Sequence, residues 1–592
     1  MKELEYPFDG EWILSKKKSL RKKLLQENGP FLQKKIAVLG GSTTSNVCVL
    51  LDLFLLNQGI QASFYESEYA KYYEDAMFDN PELVAFQPDV IFIHTTNVNV
   101  RNYPGIRDSA EEAQAKLDET YGEFEAMWEH LNETYHCPII QNNMEPPSYR
   151  LLGNYDCVDV RGRVSFLNRL NEKFAEYARS HDFFHVHDIA YLSAIVGLDR
   201  FSDPFYWHMY KYAVGVPVMA DFCYSLSHVI KAIYGKNKKA FVLDLDNTLW
   251  GGVVGDDGPE NLEVGQETSS GQAYDAFQKY LKAHKDIGIL LNVASKNEEE
   301  NALAGLNHQD CILKPDDFVV IKANWDPKNV NVAAIAEELN LGIDSLVFVD
   351  DNPAEREIIS ANLPTVSVPA ISTVDKYIRE IDRHGYFEVL KLSKDDLARN
   401  EMYKANVQRA QTLKSFANYG DYLLSLEMEA VIKPFEPLYE ARIAQLTNKS
   451  NQFNLTTKRY TQSEIEEAAK NRFTFYGKLA DKFGDNGVVT VAIGRPEGTV
   501  LHLELWLMSC RVLKRDMELA LLDAIVHRCR KNGIDRLMGY YYPTAKNAMV
   551  RNFYGDLGFE KVSEDREGNS IWEFRIPDNY QDKNKVIKVT EE

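Results

Sequence analysis

Short apolar runs recur along this chain, and each is followed by glycine or polar residues and then by a longer stretch with helical spacing. In the first third of the chain these runs fall at residues 35–39, 90–94, 138–143 and 183–188. Runs with consecutive apolar positions are typical of strands that helices cover on both faces. Their alternation with helical stretches predicts a parallel, doubly wound α/β sheet.

Three further apolar runs, in the middle of the chain, end in side chains that can carry chemistry. The polar residues that follow them are Asp244 and Asp246 after 241–243, Ser295 after 289–294, and Asp350 and Asp351 after 346–349. The carboxyl ends of parallel strands share one edge of a sheet, so we expect these side chains to meet there. Alternation along a strand also sends Asp244 and Asp246 to the same side.

Four aspartates at one sheet edge can support phosphoryl chemistry. Asp244 is the candidate nucleophile, because a carboxylate can attack phosphorus and form an aspartyl-phosphate. Asp246 is the candidate acid and base, which protonates the leaving oxygen and later activates water. A hard cation must hold the phosphate against these negative groups, and Mg²⁺ is the usual choice.

The D-x-D-N-T motif at residues 244–248 resembles the first motif of the haloacid dehalogenase (HAD) phosphotransferases, and its continuation at 249–255 resembles the FkbH-like branch. The resemblance implies that Ser295 binds the phosphate and that Lys328, in the run Trp-Asp-Pro-Lys, supplies a positive charge to it. It also implies that the metal ligands are Asp244, Asp246, Asp350 and Asp351. Any one motif alone could be a surface turn or a helix cap. All four occur in order, which favours a chemically competent HAD domain.

The N-terminal region resembles the SGNH (GDSL-type) hydrolases. Its first strand ends in Gly40-Gly41-Ser42, which keeps the family serine but has glycine where the family has aspartate. The resemblance implies Ser42 as nucleophile and Asn97 as oxyanion donor. Asp203 and His208 are the candidate partners, but four residues separate them instead of two, which is awkward for a triad. A degenerate domain is therefore favoured over active esterase chemistry.

The C-terminal region resembles acetyltransferases of the GNAT fold. Strand-like runs lie at residues 487–493 and 500–509, and an amphipathic helix follows at 517–530. A second signature, N-x6-Y-x3-G-F, covers residues 547–559. The resemblance implies that its tyrosine, Tyr554, protonates a leaving thiolate; the alternative is an aromatic anchor in the core.

The turn before that helix is the expected cofactor site. The resemblance implies that Arg511, Lys514 and Arg515 contact acetyl-CoA or a phosphopantetheine arm, whose phosphates such turns bind through backbone N–H groups. However, Lys514 and Asp516 stand where the family has glycines, and the carboxylate is unfavourable beside phosphate. Cys510, in the same turn, is a candidate to hold an acyl group as a thioester, although a buried apolar role is favoured.

Chain length and pattern together predict three α/β domains. At 592 residues the chain exceeds what one core supports. We place an SGNH-like domain of flavodoxin type at 1–235, a HAD domain with a Rossmann-like sheet at 236–390, and a GNAT-like domain with a mixed sheet at 391–592. The last of these starts with a charged linker helix at about 392–416.

Charge and cysteine content restrict the partners and the compartment. The chain has 67 basic and 88 acidic residues, a net charge of −21, which argues against nucleic acid and anionic membranes as partners. The N-terminus lacks the apolar core of a signal peptide. Seven cysteines are scattered without a C-x-x-C pair. This pattern favours reduced thiols in the cytoplasm and no zinc site.

Taken with these resemblances, the sequence predicts a Mg²⁺-dependent HAD phosphatase coupled to glyceryl-type acyl transfer, in secondary-metabolite or surface-glycan biosynthesis. The expected partners are a phosphorylated small-molecule substrate and an acyl carrier protein. The polar segment 448–457 would suit a small polyol. Two alternatives stay open: a phosphatase whose flanking domains only bind substrate, and a non-enzymatic protein that docks carriers.

Overall fold

The computed structural model describes residues 1–27, 29–78, 80–413, 415–450, 452–544 and 546–591, without the side chains of residues 27, 449 and 510. These residues form three β-sheets with helices around them, which confirms the predicted α/β class. The chain divides into two compact units. The first comprises Met1–Lys236 with Thr461–Glu464, and the second comprises Asn237–Tyr460 with Ile465–Glu592.

The first unit contains a five-stranded parallel sheet. Its strands are β1 (Leu32–Gly40), β2 (Ile60–Glu66), β3 (Val90–His94), β4 (Ile139–Asn142) and β5 (Phe184–His187). Their order, β2-β1-β3-β4-β5, is of flavodoxin type, which agrees with the predicted class of this domain. The order reverses between β1 and β3, and in such sheets ligands bind at the carboxyl edge near that point.

Ten α-helices surround this sheet in the part of the unit that the structure describes. They are α1 (Gly10–Glu27), α2 (Ser45–Asn57), α3 (Tyr72–Met77), α4 (Pro81–Phe86), α5 (Ala110–Tyr135), α6 (Arg163–Ser180), α7 (Ile189–Val196), α8 (Leu198–Phe201), α9 (Pro204–Tyr210) and α10 (Val216–Ile233). One side of the core packs around Trp128 of α5, whose ring lies 4.9 Å from that of Phe174 on α6 and 4.3 Å from that of Phe184 on β5. This packing fixes the sheet from which the Ser42 turn projects.

The second unit begins with a four-stranded parallel sheet of order β8-β7-β6-β9. Its strands are β6 (Ala240–Leu243), β7 (Leu290–Ser295), β8 (Val320–Ala323) and β9 (Leu346–Val349). The helices are α11 (Val254–Asp257), α12 (Ser269–Asp286), α13 (Glu299–Leu306), α14 (Lys328–Glu338), α15 (Pro353–Asn362) and α16 (Val374–Asp382). β6 is central and fully buried, so its carboxyl end opens between its neighbours β7 and β9.

An eight-stranded mixed sheet completes the second unit, in the order β15-β16-β14-β13-β12-β11-β10-β17. Its strands are β10 (Glu429–Lys433), β11 (Phe473–Asp481), β12 (Gly484–Glu497), β13 (Val500–Met508), β14 (Arg536–Tyr541), β15 (Glu560–Glu564), β16 (Ser570–Arg575) and β17 (Lys588–Glu591). Only two pairs are parallel, β13 with β14 and β10 with β17. The strand β13 leads directly into the turn that was predicted to bind a cofactor.

The helices of this last region are α17 (Lys394–Leu397), α18 (Arg399–Leu413), α19 (Tyr419–Ser425), α20 (Pro437–Lys449), α21 (Gln462–Asn471), α22 (Met517–Lys531) and α23 (Phe553–Asp556). The predicted linker helix corresponds to α17 and α18. Asn400 of α18 donates to the carbonyl oxygen of Lys285 at 2.7 Å, and Arg409 pairs with Asp481 of β11 at 2.6 Å. The linker thus contacts α12, beside the parallel sheet, and β11 of the mixed sheet.

The three sheets fall inside the three predicted domains, although the exact boundaries stay a prediction. No helix in the described part of the chain is both long enough and apolar enough to cross a membrane.

Candidate active site

The central feature of the second unit is a group of three aspartates at the carboxyl edge of its parallel sheet. Asp244 follows β6, and Asp350 and Asp351 follow the adjacent strand β9. The backbone N–H of Asp244 donates to the carbonyl oxygen of Val349 at 3.0 Å, which extends the pairing of the two strands to the site. Each of the three aspartates offers a carboxylate oxygen within 4.8 Å of the others.

This donor set fits a hard divalent cation. Oxygen-only ligands from several carboxylates are what Mg²⁺ and Ca²⁺ prefer, and three negative side chains this close need a positive partner. The carboxylate of Asp246 lies outside this group, so its expected role as a fourth ligand stays a prediction. Its two oxygen atoms already accept hydrogen bonds from Trp250, Val254 and Asn297.

Lys328 lies inside the same cluster, as the sequence predicted. Its Nζ atom is 2.9 Å from Asp244 and 2.5 Å from Asp350, and its side chain is almost fully buried. Burial alone would lower its pKa, but attraction to Asp244 and Asp350 outweighs burial and raises it. Lys328 is therefore a permanent positive charge beside the candidate nucleophile.

Burial and mutual repulsion perturb the metal-site carboxylates. Burial, followed by repulsion from Asp244, raises the pKa of Asp350 to about 6, although Lys328 opposes the shift. The same two causes, in the same order, raise the pKa of Asp351. Repulsion of this kind is expected where a site is built to bind a cation.

Asp246 is held in an environment that suits a general acid. Its Oδ1 atom accepts from the Trp250 indole at 2.9 Å and from the Val254 N–H at 3.1 Å, while Oδ2 accepts from Asn297 at 2.9 Å. Burial is the main cause that raises its pKa. A carboxyl group that keeps its proton more readily is better able to protonate a leaving oxygen.

Ser295 is the last residue of β7 and is buried. Its carbonyl oxygen accepts from the N–H of Asn324 at 3.2 Å, which joins the loop after β7 to the loop that leads to Lys328. The predicted role of its hydroxyl in binding phosphate stays a prediction.

Several supporting residues were not foreseen from the sequence. The guanidinium group of Arg356 donates to the carbonyl oxygens of Asp350 and Asp351 at 2.6 and 2.7 Å, which fixes the loop that carries both carboxylates. The Thr248 hydroxyl accepts from the Asp351 N–H at 3.1 Å. Arg356 lies in the run Asn-Pro-Ala-Glu-Arg after β9. Its closeness in sequence to the loop that carries Asp350 and Asp351 could have predicted this supporting role.

The raised pKa of Asp350 predicts a pH-dependent affinity for Mg²⁺. Metal binding needs the ionised carboxylate, so protons compete as the pH falls through about 6. We expect Mg²⁺ to bind roughly tenfold more weakly at pH 5 than at pH 7, as a single competing proton requires. Calorimetric titration with Mg²⁺ at both pH values measures this. Asp350→Asn should bind weakly at both, and equal affinities in the unmodified protein would contradict the expectation.

In the first unit, Ser42 lies at the carboxyl edge of the sheet, directly after β1. Its side chain is buried, and its hydroxyl has no hydrogen-bond partner in the described part of the chain. The asparagine that reaches this turn is Asn99, which donates to the Gly41 carbonyl oxygen at 2.8 Å. Asn97, the predicted oxyanion donor, instead donates to the carboxylate of Glu145 at 2.6 Å.

The predicted partners of Ser42 do not form a catalytic pair. Asp203 caps α9 by accepting from the Phe205 N–H at 2.9 Å, and His208 lies exposed on that helix. Two other histidines, His94 and His187, do lie at the ends of β3 and β5. Burial lowers their pKa values to about 4 and about 3, respectively, so neither is a strong base at neutral pH.

We therefore expect the first unit to be a poor esterase. The full-length protein should hydrolyse short aryl esters only slowly, because Ser42 lacks an oriented base. Ser42→Ala should leave this background rate unchanged within about twofold. Initial rates with an aryl acetate measure it. Fast turnover that disappears in Ser42→Ala would show that a base has been overlooked.

In the C-terminal region, the turn between β13 and α22 keeps an unusual backbone. Lys514 has φ +61° and Asp516 has φ +60°, although both carry side chains. These are the two positions where the GNAT pattern has glycine. Non-glycine residues in this region are strained and are often held there by function. The turn thus has a glycine-like conformation without glycines.

The arginines of this turn are already engaged within the chain. Arg515 pairs with Asp481 at 3.1 Å and donates to Asn406 of α18 at 2.7 Å. Arg511 lies 3.9 Å from the carboxylate of Asp395 on α17. A phosphate ligand would have to compete with these contacts for the guanidinium groups.

Tyr554 lies inside the hydrophobic core. Its ring is 4.9 Å from that of Phe559 and 6.3 Å from that of Trp506, and it packs against Gly539 of β14. Burial raises its pKa above the ordinary value. This environment matches the alternative that the tyrosine is an aromatic anchor.

The polar segment 448–457 runs between β13 and β14 where these strands separate. The Leu455 N–H donates to the Trp506 carbonyl oxygen at 3.1 Å, and the Tyr542 N–H donates to the Leu455 carbonyl oxygen at 2.8 Å. Its backbone therefore bridges the two strands like an inserted strand. Asn451 and the side chain of Cys510, the candidate thioester residue, lie outside the described residues.

Comparison with known proteins agrees with the α/β fold. Residues 35–231 match the family model described as the FkbH N-terminal domain. The chain is also similar to a crystal structure of the N-terminal part of the protein BF1531 from Bacteroides fragilis, which contains a phosphatase domain and is complexed with Mg. The identity is 27%, the TM-score is 0.58, and the match covers 63% of this chain and 99% of that one. These likenesses support a HAD-like phosphatase domain in this chain.

Two further crystal structures resemble a smaller part of the chain. The ribosomal-protein-S18-alanine N-acetyltransferase from Escherichia coli is 15% identical with a TM-score of 0.20, covering 26% of this chain and 99% of that one. Ard1 from Thermoplasma volcanium is 17% identical with a TM-score of 0.21, covering 25% of this chain and 99% of that one. These scores are too low to establish the fold of the C-terminal region. No curated protein matches the sequence.

Proposed function

We propose that this chain is a Mg²⁺-dependent phosphatase of HAD type that acts on a phosphorylated small molecule. The observation that carries the proposal is the group of Asp244, Asp350 and Asp351 with Lys328 buried among them. The Mg²⁺ complex of the similar Bacteroides fragilis protein supports the choice of metal. When bound, the cation would neutralise the phosphate and the carboxylates around it.

The side chains suggest a two-step reaction. An oxygen of Asp244 would attack phosphorus while the bond to the leaving oxygen breaks, and Asp246 would give that oxygen its proton. Asp246, now ionised, would then take a proton from water, which attacks phosphorus and releases phosphate from Asp244. Lys328 would place a positive charge beside Asp244 and attract the substrate. Phosphate release from an aryl phosphate during a Mg²⁺ titration tests the proposal, and no release at any concentration would refute it.

We further propose that phosphate removal is coupled to transfer of a glyceryl-type acyl group to an acyl carrier protein or a small-molecule acceptor. The resemblance of the C-terminal region to GNAT enzymes motivates this step, as does the retained backbone of the turn at Lys514 and Asp516. Mass spectrometry of a carrier protein incubated with the enzyme and a phosphoglyceryl donor would detect the transferred group. A cytoplasmic location would fit the six described cysteines, which are all free thiols.

A second candidate is a phosphatase whose flanking regions only bind substrate. It is favoured by the ion pairs of Arg511 and Arg515 and by the segment that fills the gap between β13 and β14. In this case the carrier protein would show no mass change, while phosphate release would persist.

Acetyl-CoA should bind the C-terminal region weakly. The carboxylate of Asp516 lies in the turn, and the arginines there have internal partners, so a pyrophosphate group has little to contact. A carrier protein loaded with an acyl group should bind at least about tenfold more tightly, since protein contacts add affinity. Calorimetry compares the two ligands, with Asp516→Gly as the variant that should strengthen acetyl-CoA binding. Tight binding of acetyl-CoA to the unmodified protein would contradict this expectation.

A further inference from the structure

Trp325 is the most exposed of the seven tryptophans, and it lies in the loop that leads to Lys328. Its side chain is 67% exposed, whereas four others are almost fully buried. An indole left in water forgoes a large apolar contribution to folding. Large exposed aromatic groups next to a site therefore suggest a contact that a ligand completes.

The exposed indole is nevertheless fixed in place. Its Nε1–H donates to the carboxylate of Glu298 at 2.6 Å. The preceding residue, Asn324, donates its N–H to the carbonyl oxygen of Ser295 at 3.2 Å. A side chain that is already ordered loses little entropy when a ligand packs on it.

The exposed indole is hydrogen-bonded to a loop that also holds the candidate acid, Asp246. Asp246 accepts hydrogen bonds from Asn297 at 2.9 Å and from the Val254 N–H at 3.1 Å. Glu298, which accepts the hydrogen bond from Trp325, directly follows Asn297. Val253 directly precedes Val254, and it is 38% exposed. Val253 thus lies in one of the two loops that donate to Asp246, and Trp325 is hydrogen-bonded to the other. A leaving group that takes a proton from Asp246 would depart beside these loops.

The charges on this rim are mainly negative. Its exposed acidic residues are Asp256, Asp257, Glu298, Glu299 and Glu300. The nearby Lys296 is paired with Glu355 at 2.6 Å. A leaving group with its own negative charge would be repelled here.

From these observations we propose that Trp325, with Val253, determines the leaving group of the phosphatase reaction. The favoured substrates are phosphate monoesters of a neutral alcohol that carries a flat or apolar segment close to the ester oxygen. The indole packs against that segment while the phosphate lies at Asp244 and Lys328. This inference rests on the proposed phosphatase function alone, without its coupling to glyceryl transfer, and adds the class of substrate.

Steady-state kinetics of the full-length protein with three phosphates test it: phenyl phosphate, glycerol 3-phosphate and 3-phosphoglycerate. Each variant is compared with the unmodified protein on the same substrate, which removes differences in intrinsic reactivity. Trp325→Ala should lower kcat/KM for phenyl phosphate roughly tenfold, mainly through KM, as expected for the loss of an aromatic contact. For glycerol 3-phosphate the change should stay within about twofold, and 3-phosphoglycerate should be the poorest substrate throughout.

Further variants separate a direct contact from a structural effect. Trp325→Phe should restore most of the activity on phenyl phosphate, and Glu298→Ala, which frees the indole, should weaken it. Leu397→Ala removes a comparably exposed apolar side chain from α17 and should change nothing. Equal losses on all substrates in Trp325→Ala, or no loss on any, would overturn the inference. If no phosphate were released from any substrate by the unmodified protein, the proposed function itself would have failed.

Discussion

An Asp244→Asn variant is expected to release no measurable phosphate from any substrate. An amide oxygen is too weak a nucleophile to attack phosphorus, so the covalent step is lost. The substitution also removes one of the three carboxylates that can hold the cation. The same carboxylate is an ion-pair partner of Lys328. Phosphate release from an aryl phosphate at saturating Mg²⁺ measures the effect.

The matched control for this variant is Asp326→Asn. Asp326 is exposed and lies two residues before Lys328, so its substitution changes the net charge equally without touching the cluster. It should retain full activity. Undiminished turnover in Asp244→Asn would eliminate Asp244 as the nucleophile.

Replacing the candidate acid with Asp246→Asn should slow turnover by on the order of a hundredfold or more, the usual contribution of a positioned acid and base. The asparagine amide cannot give up a proton. Its NH₂ group is itself a donor, and it would be placed against groups that donate hydrogen bonds to the Asp246 carboxylate. Those donors are the Trp250 indole, the Val254 N–H and Asn297.

Burst kinetics and Mg²⁺ affinity distinguish a specific loss of acid and base catalysis in Asp246→Asn from a loss of folding. Breakdown of the phosphoenzyme needs a base and should become the slower step, so a burst of the aryl alcohol should precede the slow steady state. Mg²⁺ affinity should remain close to that of the unmodified protein, because the Asp246 carboxylate lies outside the metal group. A Mg²⁺ affinity that fell together with activity would indicate that Asp246 does ligate the metal.

The sequence predicted most of the parallel strands because their residues are apolar at consecutive positions. The runs before Asp244, Ser295 and Asp350 correspond to β6, β7 and β9, and the order of these strands places their ends together. The strand β2 was not predicted. It lies at the edge of its sheet, and its polar positions alternate with apolar ones, so no continuous apolar run marked it.

Residues far apart in the sequence account for the differences at the sites. Spacing places Asp244 and Asp246 on one side of a strand, but it cannot show that Trp250 and Asn297 take up the oxygen atoms of Asp246. In the same way, local sequence shows arginines in the turn before α22. It does not show that Asp481, more than thirty residues earlier, pairs with Arg515.

At the N-terminal site, in contrast, the local sequence did contain the signal that decides the role of Asp203. Asp203 and His208 are close in the sequence, which makes them candidate partners, but Asp203 is the N-cap residue of a short helix. Asp followed by Pro is a common way to start a helix, because the carboxylate accepts from a backbone N–H and proline lacks one. That local signal was present in the sequence and outweighs the family resemblance at this position.

The central claim, that phosphate is transferred to Asp244, can be measured directly by mass spectrometry. The Asp246→Asn protein would be quenched in acid during turnover of an aryl phosphate with Mg²⁺ and then digested. We predict a phosphoryl group on the peptide that contains Asp244, and none when Asp244→Asn is combined with the same background. A phosphoryl group on another residue, or continued turnover with no phosphorylated peptide, would contradict the account.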